Sequence, residues 1–327
     1  MRLFDNTRTS DHRTCNRYFY YRHVRHLDTT TPRAPLAFGL AWHAAMDVMW
    51  REIFDGNTDV EGIARAAYTE WEREWIEQGM PDPLTNADHL WADLKARTPD
   101  NAAKMILAYI KERGPLLKRD LDLLAIEQPF IVPLDPEDPD LMYCGRLDKV
   151  VRRSDGIWIL DHKTTSAYRK DQGFASYFTD SFSPDSQMDG YAFGGHMLYG
   201  DEFKGILIEG ALVHKTQTAF GYIPIKRDAA HLDAWLWETR EEIRRIEQNK
   251  AALEKTDIKS LTYLPAFPKS TKRCYDYFSP CVYLDFCKMW SHPERHLEVR
   301  PGFVERKWSP FDHIQLEKIG LTREEGS

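Results

Sequence analysis

Apolar residues recur at helical spacing along the first third of the chain and then switch to short strand-like runs. Residues 10–26, 37–55, 58–78 and about 87–113 carry the helical period and predict four helices. The first is entered through the capping candidates Thr9, Ser10 and Asp11, and GMPDPLTN parts the third from the fourth. From there the runs LLAIEQPFIVPL (123–134), LMYCGRLDKVVRR (141–153) and GIWILDHKTT (156–165) predict three strands, with the acidic loop DPEDPD between the first two. Ser183 and Pro184 read as the cap and first position of a helix running to about Leu198, because the donor that proline lacks is not needed there. GILIEGALVHK and FGYIPIK predict two more strands. A long helix over about 228–254 follows, with Leu232, Trp235, Leu236, Ile243 and Ile246 on one apolar stripe. No internal repeat is visible. The order describes an α/β chain with a mixed central sheet flanked by helices, set out as an N-terminal helical region (1–118), a core (119–256), a C-terminal cysteine lobe (257–310) and a polar tail (311–327) expected to be disordered.

The run GRLDKVVRRSDGIWILDHKTT (145–165) carries the first chemical signal. Its IWIL is apolar on both faces, as a strand covered on both sides requires, yet it ends in Asp161, His162 and Lys163. A two-residue turn at Asp155 and Gly156 pairs Ser154 with Ile157 and sets Asp148 opposite Lys163 and Val150 opposite Asp161. Asp148, Val150, Asp161 and Lys163 then share one face, and Trp158, Leu160 and His162 the other. The two aspartates become diagonal neighbours, roughly 7 to 8 Å apart at the backbone, a gap that two carboxylates can close around one divalent cation. Without a counterion two such anions repel, and one lysine neutralises only one of them. The alternative is an exposed hairpin end whose ion pairs contribute ~0–1 kcal/mol each.

Composition narrows the picture. The chain has 327 residues, 42% hydrophobic and 13% aromatic, enough to bury a core in one elaborated domain or two packed ones. No run approaches the ~20 apolar residues that span a bilayer, and the N-terminus has no signal-peptide stretch, so a soluble cytoplasmic protein without membrane partners is expected. The net charge of −7 does not attract nucleic acid as a whole, so a polyanion partner needs a local basic patch or bound metal. Residues 12–26 supply a candidate patch, mixing Arg13, Arg17, Arg22 and Arg25 with Tyr18, Phe19, Tyr20 and Tyr21. It reads either as an amphipathic helix with a solvated basic face or, with KSTKR at 269–273, as a funnel for single-stranded nucleic acid.

GRLD followed by ILDHKT, with QMDGY downstream, resembles the PD-(D/E)XK nuclease superfamily and its RecB-like branch. CNRYFYYRHV is similar to that branch's N-terminal cysteine helix and FGLAWHAAMD to its helix with a metal-binding histidine, so the resemblance runs in order over about 280 residues. It implies a restriction-endonuclease-like sheet in which His43, Asp148, Asp161 and the backbone carbonyl of His162 ligate Mg²⁺ or Mn²⁺. Lys163 would then orient the attacking water, and Gln187 and Tyr191 would contact DNA phosphate. Considered alone, His43 in an apolar helix is an ordinary core histidine, and Gln187 and Tyr191, four residues apart, an ordinary polar stripe. Asp47, one turn after His43, is a candidate acceptor for it or an intrahelical partner, and Glu127 stands where the branch often has an acid.

Cys274, Cys281 and Cys287 lie close in sequence, with Cys15 far upstream. In a reducing compartment such thiols suggest a metal centre or chance rather than disulfides. The resemblance implies a [4Fe-4S] cluster on these four cysteines, although six residues separate Cys274 from Cys281 where two are usual, and a structural zinc is the alternative. Cys144 reads as a small buried residue. The implied activity is metal-dependent hydrolysis of DNA phosphodiesters, as an exonuclease on single-stranded DNA or a free end, in recombination, repair or phage and CRISPR DNA processing with a helicase or recombination partner. The competing reading is a non-catalytic DNA-binding or scaffolding subunit with a four-cysteine metal site.

Overall fold

The computed structural model describes residues 1–85, 94–169, 173–276, 279–307 and 309. The predicted 311–327 tail and the first residues of the predicted 87–113 helix lie outside them. In chain order the main strands are β1 (Arg2–Phe4), β2 (Asp122–Pro133), β3 (Leu141–Arg153), β4 (Gly156–Thr165), β5 (Phe203–Leu212) and β6 (Phe220–Ile225). The main helices are α1 (Asn6–Thr14), α2 (Ala34–Phe54), α3 (Val60–Glu77), α4 (Pro99–Asp120), α5 (Ser186–Tyr199) and α6 (Ala229–Glu254). The sheet runs β1-β3-β4-β5-β6, with β2 also paired to β3. β1 with β3 and β4 with β5 are parallel, whereas β3 with β4 and β5 with β6 are antiparallel, so the sheet is mixed as the sequence predicts.

Two compact units divide the chain, one made of residues 1–30, 129–145 and 229–327, the other of 31–128 and 146–228. In the second unit Asp59 caps α3 through the Gly62 amide, and Thr98 caps α4 with Pro99 at its first position. α2, α3 and α4 bury Trp42, Trp50, Trp71 and Trp75 against Trp158, Leu160 and Leu207 of the sheet. Each such ring withdraws enough apolar surface to contribute about 1.5–3 kcal/mol. Alternation sends Ile157, Ile159 and Asp161 to the opposite face, toward α5. α5 starts at Ser186 behind Asp185, whose carboxylate accepts from the Gln187 and Met188 amides. Asp185, not Ser183, is therefore the cap, because it directly precedes the first helical residue and one carboxylate oxygen accepts from both free amides of the first turn.

In the first unit the predicted single helix over 10–26 is broken. α1 is capped by Asp5 and ends at Cys15, which is extended (φ −165°). A short helix at Asn16–Phe19 then passes into a π-helical turn at Tyr20–Val24. This corrects the nucleic-acid funnel expected there. Phe19, Tyr20 and Tyr21 are buried against Phe267, Tyr283 and Phe286, so three of the four predicted rings offer no face to a base, and the half-buried Tyr18 packs edge-on against Tyr283. The arginines serve the chain itself: Arg17 donates to the Phe267 carbonyl at 3.0 Å, Arg22 pairs with Asp11 at 2.9 Å and Arg25 donates to the Leu297 carbonyl. The segment thus ties the N-terminus to the cysteine-bearing lobe.

The β3–β4 register also differs from the prediction. Arg153 pairs with Gly156 and Lys149 with Leu160, so Ser154 and Asp155 form the turn. Gly156 is required elsewhere. Its φ is +137°, and a Cβ there would lie 2.5 Å from the Glu202 carbonyl oxygen, so only glycine admits β5's neighbouring chain so closely. The shift is by two residues, which preserves the faces, and the ladder ends at Lys149 and Leu160, just short of Asp148 and Asp161.

Candidate active site

All the acids, bases and amides that the sequence singled out on α2, β3, β4 and α5 belong to the second unit. The β3–β4 ladder ends at Lys149 and Leu160, and from there the His162 amide donates to the Asp148 carboxylate at 2.9 Å instead of to a strand carbonyl. Asp148 takes the place of backbone where the two strands part. Its Oδ2 also lies 3.1 Å from His43 Nδ1 on α2 and 2.8 Å from His162 Nδ1. Lys149 is fully buried and its ammonium bonds both Asp148 and Asp47, while Arg146 pairs with Glu127. Glu127 holds φ +56° inside β2, a left-handed backbone costing roughly 1–3 kcal/mol that turns its carboxylate toward Asp47 and Asp148.

Behind this cluster lies a second, which the sequence reading missed. Glu209 of β5 is fully buried, accepts from Tyr109 Oη at 2.7 Å and Arg113 Nε at 3.0 Å, and sits 3.1 Å from His162 Nε2. The His162 ring therefore bridges two carboxylates. The available signal was a lone acid in the apolar run GILIEGALV, and likewise a lone lysine in LDKVV, since an unpaired buried charge is not sustainable. Tyr109 and Arg113 carry no such signal, because an amphipathic helix disguises them.

Electrostatics follow from these contacts. Burial alone would raise the Asp148 pKa, but Lys149 foremost, then His43 and His162, hold its carboxyl well below the usual range. Burial alone would lower His162, yet Asp148 and then Glu209 lift it to about 9, so the ring is cationic at neutral pH. Burial would likewise depress Lys149, and Asp148 and Asp47 overcome it and raise it. Glu127 is different: burial pushes it up to about 7, with Arg146 opposing and Asp47 and Asp148 adding to the rise.

Asp161 stands with the other predicted residues. It is 2% exposed, and Lys163 Nζ lies 2.7 Å from its Oδ2. The ammonium also donates to Gln187 Oε1 at 3.3 Å, and Gln187 Nε2 to Tyr191 Oη at 3.3 Å, one turn along α5. Among the described residues, the acid and imidazole groups whose ligand atoms gather within 4.8 Å are His43 with Asp148 and His162, and Asp47 with Glu127 and Asp148. Asp161 is in neither group. His162 enters the first through its ring, but that ring is cationic and paired with Asp148 and Glu209, so it offers a metal no lone pair and only its carbonyl is left for one. The carboxylate oxygens and the His43 imidazole suit a hard divalent cation, and Asp161 Oδ2, buried and without a well-aligned hydrogen bond, is a further acceptor.

The four remaining candidate ligands line one cavity in the first unit. Cys15, Cys274, Cys281 and Cys287 surround it with Lys269 and Arg273, and all four are free, half-buried thiols. The Ser270 amide points at Cys15 Sγ at 3.3 Å, and the Cys281 amide donates to the Cys274 carbonyl at 2.9 Å. Burial pushes the Cys287 thiol up to about 11, against the nearby Arg17. Cys144 stands apart, buried in the core with its thiol directed at the Phe4 carbonyl.

Among the described residues no helix is long and apolar enough to cross a membrane. No curated protein matches the sequence. Among solved structures, the chain is similar to a "putative exonuclease" from Eubacterium rectale at 14% identity and a TM-score of 0.47, covering 94% of this chain and 92% of that one. The family model for the PD-(D/E)XK nuclease superfamily matches residues 6–287, the span that holds every cluster described above, and the chain belongs to that superfamily.

Proposed function

We propose that the protein is a Mg²⁺- or Mn²⁺-dependent deoxyribonuclease of the RecB-like branch, acting as an exonuclease on single-stranded DNA or a free DNA end. The observation that carries this reading is the half-exposed Lys163 ammonium, 2.7 Å from a buried Asp161 and within reach of Gln187, where β3 and β4 part. His43, Asp148, Asp161 and the His162 carbonyl would hold the cation. Bound there, it would draw charge from the scissile phosphate and acidify the attacking water. Lys163 would orient that water and face the charge that develops in the transition state, while Gln187 and Tyr191 donate to a phosphate oxygen. Glu209 and Tyr109 would act at one remove by fixing the His162 ring. The nuclease is suited to recombination, repair or phage and CRISPR DNA processing, alone or with a helicase partner.

End-labelled single- and double-stranded DNA should lose label progressively with the wild type in Mn²⁺ or Mg²⁺, and not with Asp161→Ala or without metal. Equal digestion by Asp161→Ala, or an inert wild type in both metals, would overturn the reading and favour a DNA-binding subunit.

For the cysteine cavity we infer a [4Fe-4S] cluster. A single zinc with ~2.3 Å bonds draws four sulfurs to within ~4 Å of each other. Among the described residues, no three of these thiols gather within 4.8 Å, a spacing that favours a larger group. Anaerobically purified protein should be coloured and contain iron and sulfide, and Cys15→Ser should lose both colour and iron. Colourless protein with stoichiometric zinc would refute the cluster.

A further inference from the structure

The first unit carries an open concavity of about 400 Å³ that the nuclease reading leaves unused. Arg8 of α1, His23 of the π-helical turn, His26, Lys250 of α6 and Lys307 converge on it, with Glu254 the one carboxylate in its wall. Three separate stretches of chain therefore bring the cations Arg8, Lys250 and Lys307 to one concavity, and a fourth brings the two histidines as hydrogen-bonding groups. Scattered surface lysines do not do this, because like charges spread apart in water.

The wall is built rather than incidental. Arg8 is held by a 2.9 Å bond from its guanidinium to the Leu3 carbonyl and by the Phe4 ring, 5.0 Å away. His23 is fixed by Asp11 at 2.7 Å. His26 occupies a left-handed backbone, φ +53°, and its carbonyl accepts from the Arg306 amide at 2.7 Å. The two-stranded ribbon of Leu27–Thr29 with Phe303–Glu305 sets His26 and Lys307 at the same end. A non-glycine residue in that conformation costs roughly 1–3 kcal/mol and persists where the surroundings impose it. His26 Nδ1 is, in addition, a buried ring nitrogen with no hydrogen-bond partner among the described residues. The local field is unbalanced as well: burial lowers Lys250, Arg8 lowers it further, and Glu247 and Glu254 only partly oppose them. Burial lowers His26, and Lys307 adds to the effect. An anion in the cavity would relieve all of these at once, whereas Val24 and Leu253 offer apolar contact to an uncharged part.

We propose that this cavity binds a phosphate monoester, carried by a deoxynucleoside 5′-monophosphate or by the phosphorylated end of a DNA strand. The volume suits a ligand of nucleotide size. The choice of a nucleotide rests on the nuclease reading; the phosphate site does not, because it is formed by charges of the first unit alone.

Calorimetric titration in EDTA, which silences divalent-metal binding, separates the two. Inorganic phosphate and dAMP should bind the wild type and Asp161→Ala equally. Lys250→Gln should weaken dAMP about tenfold and Lys250→Gln/Lys307→Gln further, as expected for lost charge-assisted bonds, while Lys288→Gln on an exposed helix leaves it unchanged. A 5′-phosphorylated oligonucleotide that binds better than its 5′-hydroxyl counterpart identifies the strand end as the source, and equal binding identifies the free nucleotide. Absence of saturable phosphate and dAMP binding to the wild type overturns the site, as does wild-type affinity in folded Lys250→Gln. Should Lys250→Gln not fold, the exposed Lys307→Gln alone carries the comparison. A catalytically inert wild type that still binds phosphate would sink the nuclease reading and leave this site standing.

Discussion

Lys163→Ala is expected to reduce DNA cleavage by roughly 10²–10³-fold, the loss typical of removing one preorganised donor from a transition state, while DNA affinity stays within a few-fold. The ammonium reaches the reacting region from a side chain about 28% exposed, and its two partners, Asp161 and Gln187, face the same opening. Affinity should survive because phosphate contacts are shared among several groups, whereas charge stabilisation at one oxygen is not. Removing Lys163 also deprives a buried Asp161 of its nearest cation, so folding must be measured beside activity. Lys163→Gln supplies that control: it can still donate to Asp161 but carries no charge. If charge is what matters, the glutamine variant melts near the wild type and cleaves as poorly as the alanine. Full activity of either variant in contaminant-free protein would show that Lys163 is a bystander.

The sequence made the sheet and its faces readable, because alternation is local information: Ile157 and Ile159 against Trp158 and Leu160 fall as predicted. Register was less readable. Asp155-Gly156 is a favoured turn dipeptide, but the glycine is needed where the chain near Glu202 passes, a non-local demand absent from the hairpin's own residues. The helix over 10–26 failed for a related reason, since Cys15 is drawn extended among partners some 255 residues away, such as Ser270. Parity survived the register change, so Asp148, Asp161 and Lys163 still belong to one end of the sheet. What parity could not show is that the Asp148 carboxylate leans across the opened ladder onto the His162 ring, or that Lys149, Glu209, Tyr109 and Arg113 complete the charge balance. Those partners lie on three elements, and only the two lone charges in apolar strands hinted at them.

That charge balance yields the second large effect. Lys149→Met should destabilise the second unit by about 3–5 kcal/mol, the usual cost of stranding buried charge, and lower its melting temperature by roughly 10 °C. Lys149 is the only fully buried lysine among the described residues, and its ammonium answers two carboxylates, Asp47 and Asp148, that sit beside Glu127. Methionine keeps most of the volume, so the change isolates charge from packing. Two comparisons sharpen the cause. Asp47→Asn in the same chain should restore part of the loss, because it removes one of the anions left unpaired, and the two substitutions should therefore be non-additive. Mn²⁺ should raise the melting temperature of Lys149→Met more than that of the wild type, since a cation that binds only the folded form stabilises it in proportion to its affinity, and affinity grows as the competing ammonium leaves. A variant that melts with the wild type, or that gains no more from Mn²⁺ than the wild type does, would mean that Asp47 and Asp148 are neutral or solvated. In that case the acids at the parting of β3 and β4 would not form a cation site at all.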